Sequence, residues 1–146
     1  MKLIAYTNVY KQAVIDLILH IQKDEFGVAI DLEDQPDLQN ILEHYSQFWL
    51  AVDEEEGVIG TLGIVKFDQQ QAVLKKMFVK ADYRGKAVSK ALLETLFEYC
   101  QKEGIKEVYL GTVDKFKAAH RFYEKNGFES IQENNLPSHM PRMEVD

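Results

Sequence analysis

Tyr83-Arg84-Gly85-Lys86-Ala87-Val88-Ser89-Lys90 gathers two lysines, an arginine and a glycine between an apolar run, Leu74 to Val79, and an amphipathic helical pattern. Such a turn is suited to a phosphate. Arg84 supplies a fixed cation, and Gly85 lets the backbone come close to a ligand. The first helical turn points unpaired N–H groups at whatever sits there, and Ala87, Val88, Ser89 and Lys90 fall in or beside it. The spacing therefore predicts a bound pyrophosphate. The acidic segment from Asp24 to Asp37 holds Glu25, Asp31 and Asp34 and is suited to a cationic ligand.

Other chemistries lack their signals. No G-x-x-x-x-G-K-[ST] and no G-x-G-x-x-G after a strand occurs, so the usual nucleotide-triphosphate and dinucleotide sites are not expected. His20, His44, His120 and His139 have no ligand spacing, and no metal site is expected. Cys100 is the single cysteine, so no intrachain disulfide forms, and its place in a helical pattern reads as a small core residue. The formal net charge of -7 disfavours nucleic acid and anionic membrane, which require clustered Lys and Arg. A basic loop inside an acidic chain instead indicates one small anionic ligand. No stretch resembles a signal peptide or a membrane span, so the expected location is cytoplasmic.

The 146 residues suit one domain, 1–146, with 46% hydrophobic and 28% charged residues as in ordinary folded proteins. Lys2 to Tyr6 reads as a strand and Lys11 to Lys23 as a helix, with a second short helix from Pro36. Phe48 to Val52, Val58 to Phe67 and Ala72 to Val79 read as an antiparallel meander, with Phe48 and Trp49 in the core and Lys75 and Lys76 facing solvent. Gly60 and Gly63 inside the middle strand point to a bulge or a close backbone approach. A helix from Ser89 to Glu103 ending at Gly104, a strand Val108 to Leu110, a helix Lys115 to Lys125, a strand Phe128 to Ile131 and a short strand near Met143 complete the order. Hairpins followed by strand-helix-strand units predict an α/β (α+β) fold, a mixed and mostly antiparallel sheet with helices on both faces. Edge-strand pairing leaves a homodimer open.

The loop resembles the cofactor motif of the GNAT family of N-acetyltransferases, in which an apolar strand and then R-x-x-G-x-G or R-x-x-G-x-A open a helix. A second stretch, Ala119-His120-Arg121-Phe122-Tyr123-Glu124-Lys125-Asn126-Gly127-Phe128, is similar to that family's A-x-x-F-Y-E-K-x-G-F. The resemblance implies that the amides of Arg84 to Lys90 hold the pyrophosphate of acetyl-CoA, that Met77, Phe78 and Val79 bond pantetheine, and that Ala119 and Phe122 line the cofactor. Ala87 stands where the family prefers glycine, and Ser89 where it prefers glycine or alanine. Ala87 would crowd the pyrophosphate only if its position took a left-handed φ, and Ser89 could add a hydroxyl or an N-cap. Phe116 stands where many relatives carry an asparagine.

The implied reaction moves an acetyl group directly to a primary amine of a small molecule or a protein. A backbone donor between Met77 and Val79 would polarise the carbonyl, an effect whose loss typically costs about 2.7 to 4 kcal/mol in acyl-transfer sites. Tyr123 is implied as the acid for the departing thiolate. An alkylamine of pKa about 10.4 must also lose a proton, at roughly 4 to 5 kcal/mol near pH 7. The strand before the loop offers no acid, so a water relay or a carboxylate such as Glu25, Asp31 or Asp34 is expected to take it. Tyr45 is expected to line the acceptor pocket, and the segment from His139 to Arg142 to close over it. The alternative is a non-catalytic module of the same fold that senses acetyl-CoA or CoA.

Overall fold

Adjacent strands joined by polar turns of a few residues pair as antiparallel hairpins, because a parallel pair needs a crossover of a dozen or more residues. The computed structural model, which describes residues 1–85, 87–111 and 117–140, has that meander in β2 (Gln47–Asp53), β3 (Gly57–Lys66) and β4 (Gln71–Val79). Each turn is closed by a carboxylate: Asp53 accepts the N–H groups of Glu55 and Glu56 at 3.1 Å, and Asp68 accepts that of Gln70 at 2.9 Å. β1 (Lys2–Ala5) adds to β2 antiparallel, and β5 (Glu107–Tyr109) adds to β4 parallel, in the order β1-β2-β3-β4-β5. The helix α4 (Ala87–Glu103) makes the crossover that a parallel pair requires. The expected mixed, mostly antiparallel α/β sheet is the one observed.

Helices cover both faces because the central strands are apolar on both, with near-continuous buried runs in β2, β3 and β4. On one face α1 (Lys11–Leu19), α2 (Pro36–Gln39) and α3 (Ile41–His44) bury Val14, Ile18, Leu38 and Ile41 against Phe48, Leu50 and Phe78. On the other, α4 and α5 (Lys117–Lys125) bury Leu92, Leu93, Leu96 and Tyr123 against Ile59, Leu62, Ile64 and Leu74. Truncating a buried leucine in such a layer typically costs about 2–5 kcal/mol. Gly60 makes the close approach expected of it, since a Cβ there would lie 3.0 Å from Leu92 Cδ1.

Several boundaries differ from expectation for local reasons. α1 stops at Leu19 and continues as a π-helical turn, His20–Glu25, which places Ile21 and Gln22 in the interior. Such turns carry an extra residue and are frequent at functional sites. α4 begins at Ala87, not Ser89: Gly85 takes φ +73°, and alanine favours the helix, so Ser89 lies inside the first turn and is not its cap. Phe128 to Ile131 is not a strand. The Phe128 N–H instead bonds Tyr123 O at 3.0 Å and the Gly127 N–H bonds Glu124 O at 3.2 Å, ending α5 in a Schellman motif with Gly127 at φ +95°. Lys115, Phe116, Arg142 and the strand expected near Met143 lie outside the described residues. Among those described, no helix is long and apolar enough to cross a membrane.

One irregularity interrupts β4. Gly63 pairs with Lys75 and Thr61 with Phe78, so Lys76 and Met77 together oppose Leu62. This is a β-bulge, with Lys76 at φ +54°, the one non-glycine residue of positive φ among those described. Leu74 faces the α4 layer, and so do Met77 and Val79, which regular alternation would not allow. Lys76 is the inserted residue. It is turned to the opposite layer and is 1% exposed, so it does not face solvent as the sequence suggests.

Candidate active site

Among the described residues, β4 and β5 pair at Gln71 to Val73 against Glu107 to Tyr109. Past that point β4 runs on to Val79 while the chain after β5 leaves it, and a cleft of about 420 Å³ opens between them. One wall is Leu74 and Lys76 to Val79, and the other is Leu110 and Gly111. α5 contributes Ala118, Ala119, Phe122 and Tyr123, while Gly85 and Ser89 bring in the start of α4. Ile21 and Phe26 from the π-helical turn and its exit close the end on the α1 side. The interior is largely apolar, and Arg84, Arg121 and Lys125 place positive charge on its lining. Arg121 and Lys125 are one turn apart on α5 and share a face.

Tyr123 is 9% exposed and its ring is held edge-on by Phe122 at 5.7 Å and Phe128 at 5.5 Å. Edge-to-face packing on two sides fixes the direction of the ring. Arg84 donates Nε–H to Val79 O at 2.9 Å, and its two terminal nitrogens grip both oxygens of Glu25, one at 2.8 Å. The guanidinium carbon also lies 5.4 Å from the centre of the Phe26 ring. A bidentate fork with an aromatic beneath it is a strong arginine contact. It ties the exit of β4 to the π-helical turn.

Behind the bulge, Lys76 Nζ lies 3.6 Å from Asp37 Oδ2, and the Tyr45 hydroxyl donates to the same oxygen at 2.5 Å. Burial works to raise the pKa of Asp37. The charge of Lys76, the hydrogen bond from Tyr45 and the charge of Lys75 outweigh it and hold the carboxyl below its usual range. Thr61 Oγ1 donates to Lys76 O at 2.7 Å. Nearby, Gln22 and Gln35 exchange two side-chain hydrogen bonds at 3.0 and 2.9 Å, both buried, which braces the segment between α1 and α2.

The sequence profile described as Acetyltransferase (GNAT) family matches residues 15–128. The chain belongs to the GNAT acetyltransferase family. A GNAT-family acetyltransferase from Staphylococcus aureus Mu50 is 42% identical with a TM-score of 0.94, over 97% of this chain and 92% of that one. Human N-acetyltransferase 8B is 26% identical over 131 residues, 83% of this chain, and the GNAT chain described here spans only 57% of that relative's length. The enzyme AAC(6')-Iy, solved in complex with the bisubstrate analogue CoA-S-monomethyl-acetylneamine, is 14% identical with a TM-score of 0.72 over 97% of this chain and 98% of its own, and shares the fold.

Of the residues expected in the GNAT site, the cleft brings together Met77, Phe78, Val79, Arg84, Gly85, Ser89, Ala119, Phe122 and Tyr123. Lys86 lies outside the described residues. Ala87 opens α4 without a left-handed φ, which removes the ground for crowding at that position. Val88 is a core residue and Lys90 is exposed on α4. Glu25, Asp31 and Asp34 are not on that lining: Glu25 is taken up by Arg84 at its edge, Asp31 pairs with Lys23, and Asp31 and Asp34 form a reciprocal capping box. Tyr45 is buried against Asp37 and is not on the cleft lining. His139 pairs with Asp68 at 2.5 Å and packs on Phe67, beside the β3–β4 turn. Lys76, Arg121, Lys125 and the apolar end wall of Ile21 and Phe26 are cleft residues that the motifs did not single out. The i, i+4 spacing of Arg121 and Lys125 within the second motif was the available signal.

Proposed function

We propose that the cleft binds acetyl-CoA and that the chain passes the acetyl group directly to an amine of a small-molecule or protein acceptor. The observation that carries this reading is the cleft between the parting strands β4 and β5, apolar within and basic along its lining. When bound, acetyl-CoA supplies the acetyl group as a thioester. Gly85 and the first-turn amides of α4 are suited to its pyrophosphate, and Arg121 and Lys125 add charge for its phosphates. Met77, Phe78 and Val79 offer backbone groups to the pantetheine and to the carbonyl. In this reading Tyr123 gives a proton or a hydrogen bond to the departing sulfur, and Arg84 and Glu25 hold the wall.

Direct transfer is supported by the state of the only thiol. Cys100 is buried, and burial pushes its pKa up to about 11, so it is a neutral thiol at pH 7 and a poor nucleophile. With Glu25 engaged at both oxygens, the reading leaves the amine proton to a water relay.

Calorimetric titration with acetyl-CoA, followed by thiol release across polyamines, aminoglycosides, amino acids and lysine or N-terminal peptides, tests the reading. Binding with release for at least one amine class is expected. Tyr123→Phe should lower turnover by roughly 10²-fold while acetyl-CoA affinity stays within about threefold. Binding without release from any amine would favour a sensor, and equal turnover in Tyr123→Phe would remove that residue from the chemistry.

A further inference from the structure

Lys76 is a poor residue for the place it occupies. A left-handed φ is disfavoured by any Cβ other than that of Asn or Asp, and a buried charge must be desolvated. Glycine would satisfy the backbone and an apolar residue would satisfy the layer. Neither the ladder nor local preference fixes this turn, because Lys76 and Met77 share a single opposing residue on β3. What fixes it is polar: the Thr61 hydroxyl on Lys76 O, and the Lys76 ammonium against Asp37, whose carboxylate is itself held by Tyr45. A buried ion pair adds little net stability beside a well-packed apolar pair, and its best-attested use is to specify one conformation among several.

The conformation specified here is that of the cleft wall. Lys76, Met77 and Phe78 all line the cleft, and the bulge takes Lys76 and Met77 out of one-to-one pairing with β3 just before Phe78 rejoins the ladder opposite Thr61. We propose that Lys76 is a positioning residue for acetyl transfer: held by Asp37 and Tyr45, it fixes the bulge so that backbone N–H groups of the Lys76–Phe78 turn polarise the thioester carbonyl. The inference rests on the acetyl-CoA reading above. Asp37 stands on α2, which packs on the α1 face of the sheet, so the strut reaches the cleft wall from the layer opposite α4.

The test needs no knowledge of the acceptor. Acetyl-CoA carrying carbon-13 at the carbonyl is bound to the full chain, and the isotope-edited infrared band of the carbonyl is compared with that of free acetyl-CoA. Wild type is expected to shift the band to lower wavenumber. Lys76→Met keeps the length of the side chain and removes its charge. It should bind acetyl-CoA within about threefold of wild type, lose most of the shift, and release thiol to any accepted amine at least about tenfold more slowly. Lys76→Arg should restore part of the shift, which a purely structural role would not require. Should Lys76→Met not fold, Tyr45→Phe, which removes one strut from Asp37, is expected to give an intermediate shift, and a full shift there would overturn the proposal. A full shift in folded Lys76→Met, or an unshifted band in wild type with acetyl-CoA bound, would likewise refute it and leave acetyl transfer standing. Failure of wild type to bind acetyl-CoA would refute the acetyl-CoA reading itself.

Discussion

Gly63→Ala isolates the packing that supports the strut. A Cβ at Gly63 would lie 2.5 Å from Tyr45 Cε1, 2.7 Å from Tyr45 Cδ1 and 2.8 Å from Phe48 Cδ2, where ordinary contact begins at 3.4 Å. Tyr45 would have to withdraw by about 0.9 Å, and it has little freedom to do so. Its ring packs edge-on against Phe48 at 5.0 Å, both rings are buried, and its hydroxyl is fixed on Asp37. Overpacking of this kind costs about 1–3 kcal/mol. Weakening a hydrogen bond to a carboxylate adds about 1.5–3 kcal/mol. Lower unfolded-chain entropy returns about 0.4–1 kcal/mol. The net is a loss of about 3 kcal/mol, or a fall in Tm of about 10 °C for a chain of this size. Gly60→Ala is the control, because its nearest neighbour, at 3.0 Å, is the free end of a leucine side chain, and its loss should stay near 1 kcal/mol. Thermal unfolding followed by circular dichroism, with urea midpoints alongside, measures both. A Tm for Gly63→Ala within about 2 °C of wild type, or a larger effect from Gly60→Ala, would refute the reasoning.

Two further outcomes concern buried groups. Cys100 is held neutral in the folded chain to about pH 11, against an ordinary value of 9.0. The unfolded thiol therefore ionises first as pH rises past 9, and stability is lost between those values. Urea unfolding under reducing conditions should show a wild-type loss of about 2 kcal/mol near pH 10.5 that Cys100→Ala lacks, and parallel pH dependences would contradict the assignment. Gln35→Leu leaves the buried amide of Gln22 without its two bonds and should lose about 1–3 kcal/mol, while adding Gln22→Leu should recover part of it. Additive losses in the double variant would show that the pair does not act as a unit.

What could be read from the sequence was whatever is local. The three hairpin strands, the phosphate-suited turn and the helix after it rest on alternation, glycine and periodicity within a dozen residues, and each stands within a residue or two of where it was expected. What could not be read depends on residues far apart. Glu25 and Arg84 are 59 positions from each other, and nothing in the acidic segment marks Glu25 as the partner of that arginine rather than of a ligand. The Gln22–Gln35 pair is equally silent, since neither glutamine lies in a pattern that predicts burial. Phe128 looked like the start of a strand because aromatics favour strands, but packing against Tyr123 and Phe97 claimed its ring. Lys76 did leave a trace. Two adjacent lysines in an apolar strand cannot both face solvent at a period of two, and that conflict is itself the sign of an inserted residue.

The extra residue in β4 is separable from the fold that contains it. Deleting Lys76 would restore an unbroken ladder and leave Leu74, Met77 and Val79 on the α4 side and Phe78 on the α1 side, now at regular alternation. The two layers would keep their side chains, and what would be lost is the irregular stretch of cleft wall and its contact with Asp37. The inserted residue thus belongs to the shape of the wall and not to the packing of the layers.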